Sequence, residues 1–217
     1  MQHADAVSST PAHPVIAAVV VTHSRLAKLQ DTVLRLLDEP VQHVLVFDNA
    51  SADGTAEWLA GLSDPRLQVL HSATNLGGAG GFSKAMEAAR QLDPDWIVVM
   101  DDDGRPASGA IAAFRALDLT GDLTGWDAIG AAVFHPDGRI CEMNRPYRNP
   151  FWRGREFLRT LSGKGRHGFH LPDAAYAPDA PMPEVDMTSF VGLFLSRKAL
   201  TQAGLPDPRL FLYGDDQ

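Results

Sequence analysis

Four short apolar runs, at 15–22, 44–47, 67–70 and 97–100, each give way to a polar loop and then to helical periodicity. The first, Val-Ile-Ala-Ala-Val-Val-Val-Thr, is the pattern of a strand buried on both faces. After it, Leu26, Leu29, Val33, Leu36 and Leu37 recur at helical spacing, which predicts a helix over about 25–38, stopped near Pro40. A second helix carries Trp58, Leu59 and Leu62, with Ser51 or Asp53 as its cap. A third, with Phe82, Ala85, Met86 and Ala89, follows a glycine-rich loop at 75–81, and a fourth spans about 110–117. Such alternation implies an α/β fold: a central, mostly parallel sheet flanked by helices. Because the loops at 22–24, 48–51, 75–81 and 101–104 all follow strands, they should gather on one edge. Open α/β sheets bind ligands there, beyond the carboxyl ends of the strands.

The most loaded of these loops is Asp101-Asp102-Asp103-Gly104, which follows Ile97 to Met100 without a break. Three adjacent carboxylates repel one another, so each favours protonation of its neighbour. A divalent cation such as Mg²⁺ or Mn²⁺ relieves that repulsion and leaves coordination sites for water and substrate phosphate. A solvated acidic turn without a ligand is the competing reading. The alternating ligands of an EF-hand are absent, since Arg105 breaks the pattern.

Asn-Leu-Gly-Gly-Ala-Gly-Gly at 75–81 is neither a P-loop nor the dinucleotide fingerprint, which belongs directly after the first strand. Glycines before a helix still permit close backbone approach, and helix N-termini favour anions, so a diphosphate or sugar contact competes with a plain flexible turn. Asp48 ends the second run, where it could accept from a base N–H or a ribose hydroxyl, or simply cap the next helix. Asp215 and Asp216 form a second carboxylate pair after the apolar Phe211-Leu-Tyr213. One of such a pair can act as a general base, its pKa raised by its neighbour; a polar tail is the alternative. His23, His71, His135, His167 and His170 are scattered without the spacing of a zinc site.

The 217 residues carry a formal net charge of −8, which argues against a nucleic-acid backbone as main partner, since that needs a basic face. A single cysteine, Cys141, cannot form an internal disulfide. Residues 1–14 read as a flexible leader lacking a signal-peptide pattern, and the run at 15–21 is too short to span a membrane, which takes about 20 residues. The expected location is cytoplasmic, with peripheral attachment to the inner face of a membrane left open. Residues 15–217 are expected to form one domain, with 15–125 as its ligand-binding half and 126–217 as a second half. In the latter, 128–134 reads as a strand, His135-Pro-Asp-Gly138 as a turn, 185–196 as strand-like and 197–203 as a short helix. Between them, 144–184 is rich in proline, aromatic and basic residues and reads as an insertion of loops and short helices.

Taken in order, Val-Val-Val-Thr-His at 19–23, Asp-Asn-Ala-Ser-Ala-Asp-Gly-Thr at 48–55, Asn-Leu-Gly at 75–77, Met-Asp-Asp-Asp at 100–103 and Phe-Leu-Tyr-Gly-Asp-Asp at 211–216 resemble the motif series of inverting family-2 glycosyltransferases. The resemblance covers 15–130 and 185–217, and within the family is similar to bacterial galactofuranosyl- and rhamnosyltransferases of cell-envelope assembly. It implies a GT-A, Rossmann-like fold, a nucleotide-diphosphate sugar donor and a glycan or lipid-linked acceptor. It also implies residue roles. Thr22, His23, Arg25, Asp48, Asn49, Asn75, Gly77, Gly78, Lys84, Asp101 and Asp102 would hold the donor. Asp101 and Asp103 match the outer carboxylates of a DXD motif, with Asp103 the principal metal ligand, and Asp216, with Asp215 beside it, matches the catalytic base. Family members usually continue beyond this acidic pair with a helix and often a metal-binding histidine, so a C-terminally truncated chain is expected. The rival function is a non-catalytic nucleotide- or sugar-binding module of the same fold.

Overall fold

The computed structural model describes residues 13–211, the side chain of Lys164 excepted. Six strands form one sheet: β1 (Ile16–Thr22), β2 (His43–Asp48), β3 (Leu67–His71), β4 (Trp96–Asp101), β5 (Ala128–Gly130) and β6 (Leu193–Ser196), in the order β3-β2-β1-β4-β6-β5. The first four are mutually parallel, while β6 runs antiparallel to both β4 and β5. The helices are α1 (Leu26–Asp38), α2 (Thr55–Ala60), α3 (Gly77–Arg90), α4 (Ala110–Thr120), α5 (Gly154–Arg159) and α6 (Arg197–Gln202).

Every residue of β1 is buried, and the alternation of its side chains divides the core in two. Ile16, Ala18 and Val20 join Leu29, Val33 and Leu36 of α1 and Ile111 and Phe114 of α4 on one face. Ala17, Val19 and Val21 join Phe82, Ala85, Met86 and Ala89 of α3 and Leu200 of α6 on the other. Each such Val or Leu contributes about 1.5–3 kcal/mol on full burial, so this strand anchors both layers. Buried Glu39, after α1, uses its carboxylate to accept from the backbone N–H groups of Gly109 and Ile111, meeting two otherwise orphaned donors where α4 starts.

Three expected elements differ. The stretch 75–81 is no loop, because α3 already begins at Gly77. A Cβ on Gly81 would fall 2.7 Å from Val21 Cγ1, so this glycine lets α3 lie closer to β1 than any side chain would permit. Glycine costs a helix about 1 kcal/mol relative to alanine, which is why propensity pointed to a loop. Gly81→Ala should therefore destabilise the protein by about 1–3 kcal/mol through overpacking, despite its better propensity. A thermal melt checks this: a higher Tm would mean that the helix has room to spare. Beyond β4, the strand expected at 128–134 is confined to β5, and that at 185–196 to β6. The backbone beyond each pairs only in isolated bridges, Phe134 with Ile140 and Tyr147 with Met187. The turn at 135–138 forms, with Gly138 N–H donating to His135 O. Residues 144–184 contain α5, a π turn (Thr160–Lys164) and further 3-10 turns. Arg145 organises one part of this segment, bonding Glu142, Asp173 and Leu171 O with its guanidinium over the Tyr176 ring; Arg153 ties another part to Asp186 and Glu184.

Candidate functional site

Between β1 and β4 the strand order reverses: β1 leads to β2 on one side, while β4 pairs on the other. That crevice is where parallel sheets accept ligands. Register places Thr22 beside Asp48 and Val21 beside Asp101, and Asp48 beside His71, so the four loops start level with one another.

The loop after β1 is laced to the loop after β2. Ser24 N–H donates to Ser51 Oγ at 2.8 Å, and Ala52 N–H donates to Ser24 Oγ at 3.2 Å. Asp53 accepts from Leu26 N–H at the start of α1 and from Thr55, N–H and hydroxyl both, at the start of α2. These bonds hold its carboxyl below the usual range, the Thr55 hydroxyl contributing most. One side chain thus serves two helix N-termini. Ser24 and Ala50 both adopt left-handed backbone, at φ 52° and 64°, strain that such cross-bonding maintains.

Asp48 is buried; its Oδ1 accepts from Ser51 N–H at 2.9 Å and its Oδ2 lies 3.2 Å from His71 Nδ1. Asn49, also buried, joins three loops: it donates to Asn75 Oδ1 and Gly77 O, accepts from Leu76 N–H, and its carbonyl meets His23 Nδ1 at 2.8 Å. Asn75 in turn accepts from Gly77 N–H at 2.8 Å. Gly77, at φ 71°, lies so close to Phe211 that a Cβ would collide with the Phe211 carbonyl, whereas Gly78 faces open space.

The three aspartates after β4 point to different surroundings. Asp102 is turned inward, accepting from Thr22 Oγ1 at 2.8 Å and from Arg25 Nη1 at 3.0 Å, while its carbonyl accepts from Thr32 Oγ1. Burial pushes its carboxyl above the ordinary value, opposed by the Thr22 hydroxyl and Arg25 and reinforced by Asp103. Asp101 is half-buried and Asp103 is exposed, with Arg25 Nη2 3.3 Å from Asp103 Oδ2. The middle residue therefore anchors the loop, leaving Asp103 toward solvent.

Nearly all the described candidates converge on this edge: Thr22, His23, Arg25, Asp48, Asn49, Asn75, Gly77, Gly78 and Asp101 to Asp103. Lys84 does not join them. It lies about 10 Å along α3 from Gly77, at 1.5 Å rise per residue, where it pairs with Glu87 at 3.0 Å. Asp215 and Asp216 lie outside the described residues. The sequence reading gave no role to His71, named only among the scattered histidines, or to Thr32. Only the position of His71 at the end of an apolar run signalled it, and Thr32 carried no signal.

Among the described residues no group of three or more His, Cys, Asp or Glu is arranged to hold a metal ion. Asp101 and Asp103, at the end of β4, nevertheless suit Mg²⁺ or Mn²⁺, which are commonly held by one or two carboxylates, with substrate phosphates and water completing the shell. No helix among the described residues is long and apolar enough to cross a membrane.

Residues 17–162 match the family described as glycosyl transferase family 2. The chain is 32% identical over 206 residues to galactofuranosyltransferase GlfT1 of Mycolicibacterium smegmatis, covering 93% of this chain and 63% of that protein. It is 28% identical over 151 residues to the undecaprenyl-phosphate mannosyltransferase of Micrococcus luteus, covering 68% of this chain and 60% of that protein. The chain thus spans a little under two thirds of the length of these relatives. Among solved structures, S. aureus TarS 1–349 superposes with a TM-score of 0.55 at 14% identity, over 87% of this chain and 49% of that one, a likeness of fold.

Proposed function

As the chain belongs to glycosyl transferase family 2, we propose that it carries the donor site of a metal-dependent, inverting glycosyltransferase. The enzyme would move a sugar from a UDP- or dTDP-linked donor to a hydroxyl of a glycan or lipid-linked acceptor in cell-envelope polysaccharide assembly, working in the cytoplasm at the inner face of the membrane. The observation that carries this reading is the convergence of Asp48, Asn49, Asn75 and the Asp101–Asp103 turn on the edge where the sheet order reverses.

Asp48 receives the nucleoside, since a carboxylate has about four acceptor positions and still has capacity beyond Ser51 and His71. The start of α3, with Gly78 opening onto free space, gives the diphosphate a close approach to backbone amides at the positive end of the helix dipole. Asp101 and Asp103 would hold the divalent cation, which supplies charge neutralisation of the leaving nucleoside diphosphate. Asp102 and Thr22 position that pair, and Arg25 balances its charge.

Asp216 takes the proton from the acceptor hydroxyl as that oxygen attacks the anomeric carbon, opposite the leaving diphosphate; Asp215 is its acidic neighbour. Phe211, the last described residue, lies against Gly77, and Asp216 follows it in sequence by five residues. The half at 126–217, with the insertion at 144–184, forms the acceptor side.

A thermal-shift panel of nucleotide sugars, with and without Mn²⁺, tests the donor site. A donor at 100 times its Kd adds about 2.7 kcal/mol, or a rise of about 5–10 °C in Tm. If no nucleotide sugar raises Tm under either condition, the donor-site reading fails. Donor binding without transfer by the full-length protein would favour a non-catalytic binding module.

A further inference from the structure

Exposed apolar side chains concentrate in one place. Phe151, Trp152, Phe157, Leu158 and Leu161 all lie within one short stretch, exposed by 84%, 71%, 41%, 67% and 67%. Their helix is turned inside out. Glu156 is buried, its carboxylate 3.8 Å from Arg148, and Thr160 Oγ1 donates back to Glu156 O, so the polar face of α5 and the following turn looks inward. At about 100° per residue, Phe157, Leu158 and Leu161 fill an outward arc of roughly 100°, with Arg155 and Arg159 along one margin. Phe151 extends the patch, its ring centroid 6.4 Å from that of Phe157.

The charge is equally local. Residues 151–168 hold five basic residues against one acidic residue, in a chain whose net charge is −8. Arg153 is committed to Asp186 and Glu184, whereas Arg155, Arg159 and Arg166 are exposed and form no ion pair among the described residues. Bulky apolar groups beside exposed arginines, with a tryptophan at the edge, is the composition of an element lying in the headgroup layer of a bilayer. A second copy fits poorly, because a two-fold contact would set this arginine margin against itself.

We propose that 151–166 is a membrane-docking element that inserts Phe151, Trp152, Phe157, Leu158 and Leu161 into an anionic lipid surface, with Arg155, Arg159 and Arg166 on the phosphates. The acidic remainder of the protein is repelled by the same surface, so docking also sets orientation. This specifies the membrane-facing part of the function proposed above, but its test does not depend on transfer. In co-sedimentation, the full-length protein should bind vesicles of two parts phosphatidylcholine to one part phosphatidylglycerol. Phosphatidylcholine alone, or high salt, should weaken binding about tenfold or more. Leu158→Ser with Leu161→Ser, and separately Arg155→Ala with Arg159→Ala, should each lower partitioning about tenfold, with donor-induced thermal shifts unchanged. All four side chains are exposed, so both double variants should fold, and the melts verify it.

Partitioning of either variant equal to wild type, or no binding by wild type, overturns the proposal. So does a wild-type dimer that Leu158→Ser with Leu161→Ser converts to monomer, since a second copy would then cover the patch. Lost donor shifts with vesicle binding intact would instead count against the donor site alone.

Discussion

Asp216→Asn is expected to leave donor binding intact and to lower sugar transfer by about 10²–10⁴-fold, the usual worth of general-base catalysis. Asparagine is nearly isosteric with aspartate but cannot take the acceptor proton. The acceptor hydroxyl then attacks without a base, and only the transition state loses its partner. KM for the donor should change little while kcat falls, the signature of an interaction made in the transition state. The measurement is steady-state transfer by the full-length protein, beside calorimetric titration of the donor into the same variant. If Asp216→Asn abolishes donor binding, Asp216 is a donor or metal ligand and the base lies elsewhere.

Asp103→Ala is expected to remove the Mn²⁺-dependent part of nucleotide-sugar binding while the free nucleoside keeps most of its weak affinity. Asp103 is the exposed member of the trio, and Asp102 is already engaged by Thr22 and Arg25, so Asp102 is poorly placed to substitute. Losing one of two carboxylates also leaves Arg25 with less to neutralise, so the turn becomes more positive and less suited to a cation. Titrating UDP-sugar and uridine into wild type and variant, each with Mn²⁺ and with EDTA, separates the contributions. Wild-type affinity insensitive to EDTA would remove the metal from the proposal. Equal losses for nucleoside and nucleotide sugar would mean that Asp103 supports the loop rather than a cation. Together the two variants separate binding from chemistry, because Asp103 is argued from a strand end and Asp216 from the acidic pair that follows Phe211.

What the sequence determined by itself is the alternation. β-Branched runs and 3.6-residue periodicity are local signals, and they placed β1 to β4 and α1 close to where the structure has them. The shared edge followed too, since parallel strands with a loop after each must put those loops on one side. Tertiary structure decided the rest. Only close packing on β1 explains why Gly81 lies in a helix that its propensity opposes. Only the approach of Thr22 and Arg25 separates Asp102, turned inward, from two chemically identical neighbours. Register alone brings His71 to Asp48, twenty-three residues away in sequence. Helix length carries Lys84 away from the edge that its neighbours Gly77 and Gly78 occupy. And α5 shows its apolar face to solvent while Glu156 lies buried 3.8 Å from Arg148, the reverse of what the amphipathic pattern alone would assign. For Gly81, Asp102 and His71 the deciding partner is distant along the chain, so a local pattern carries no record of it.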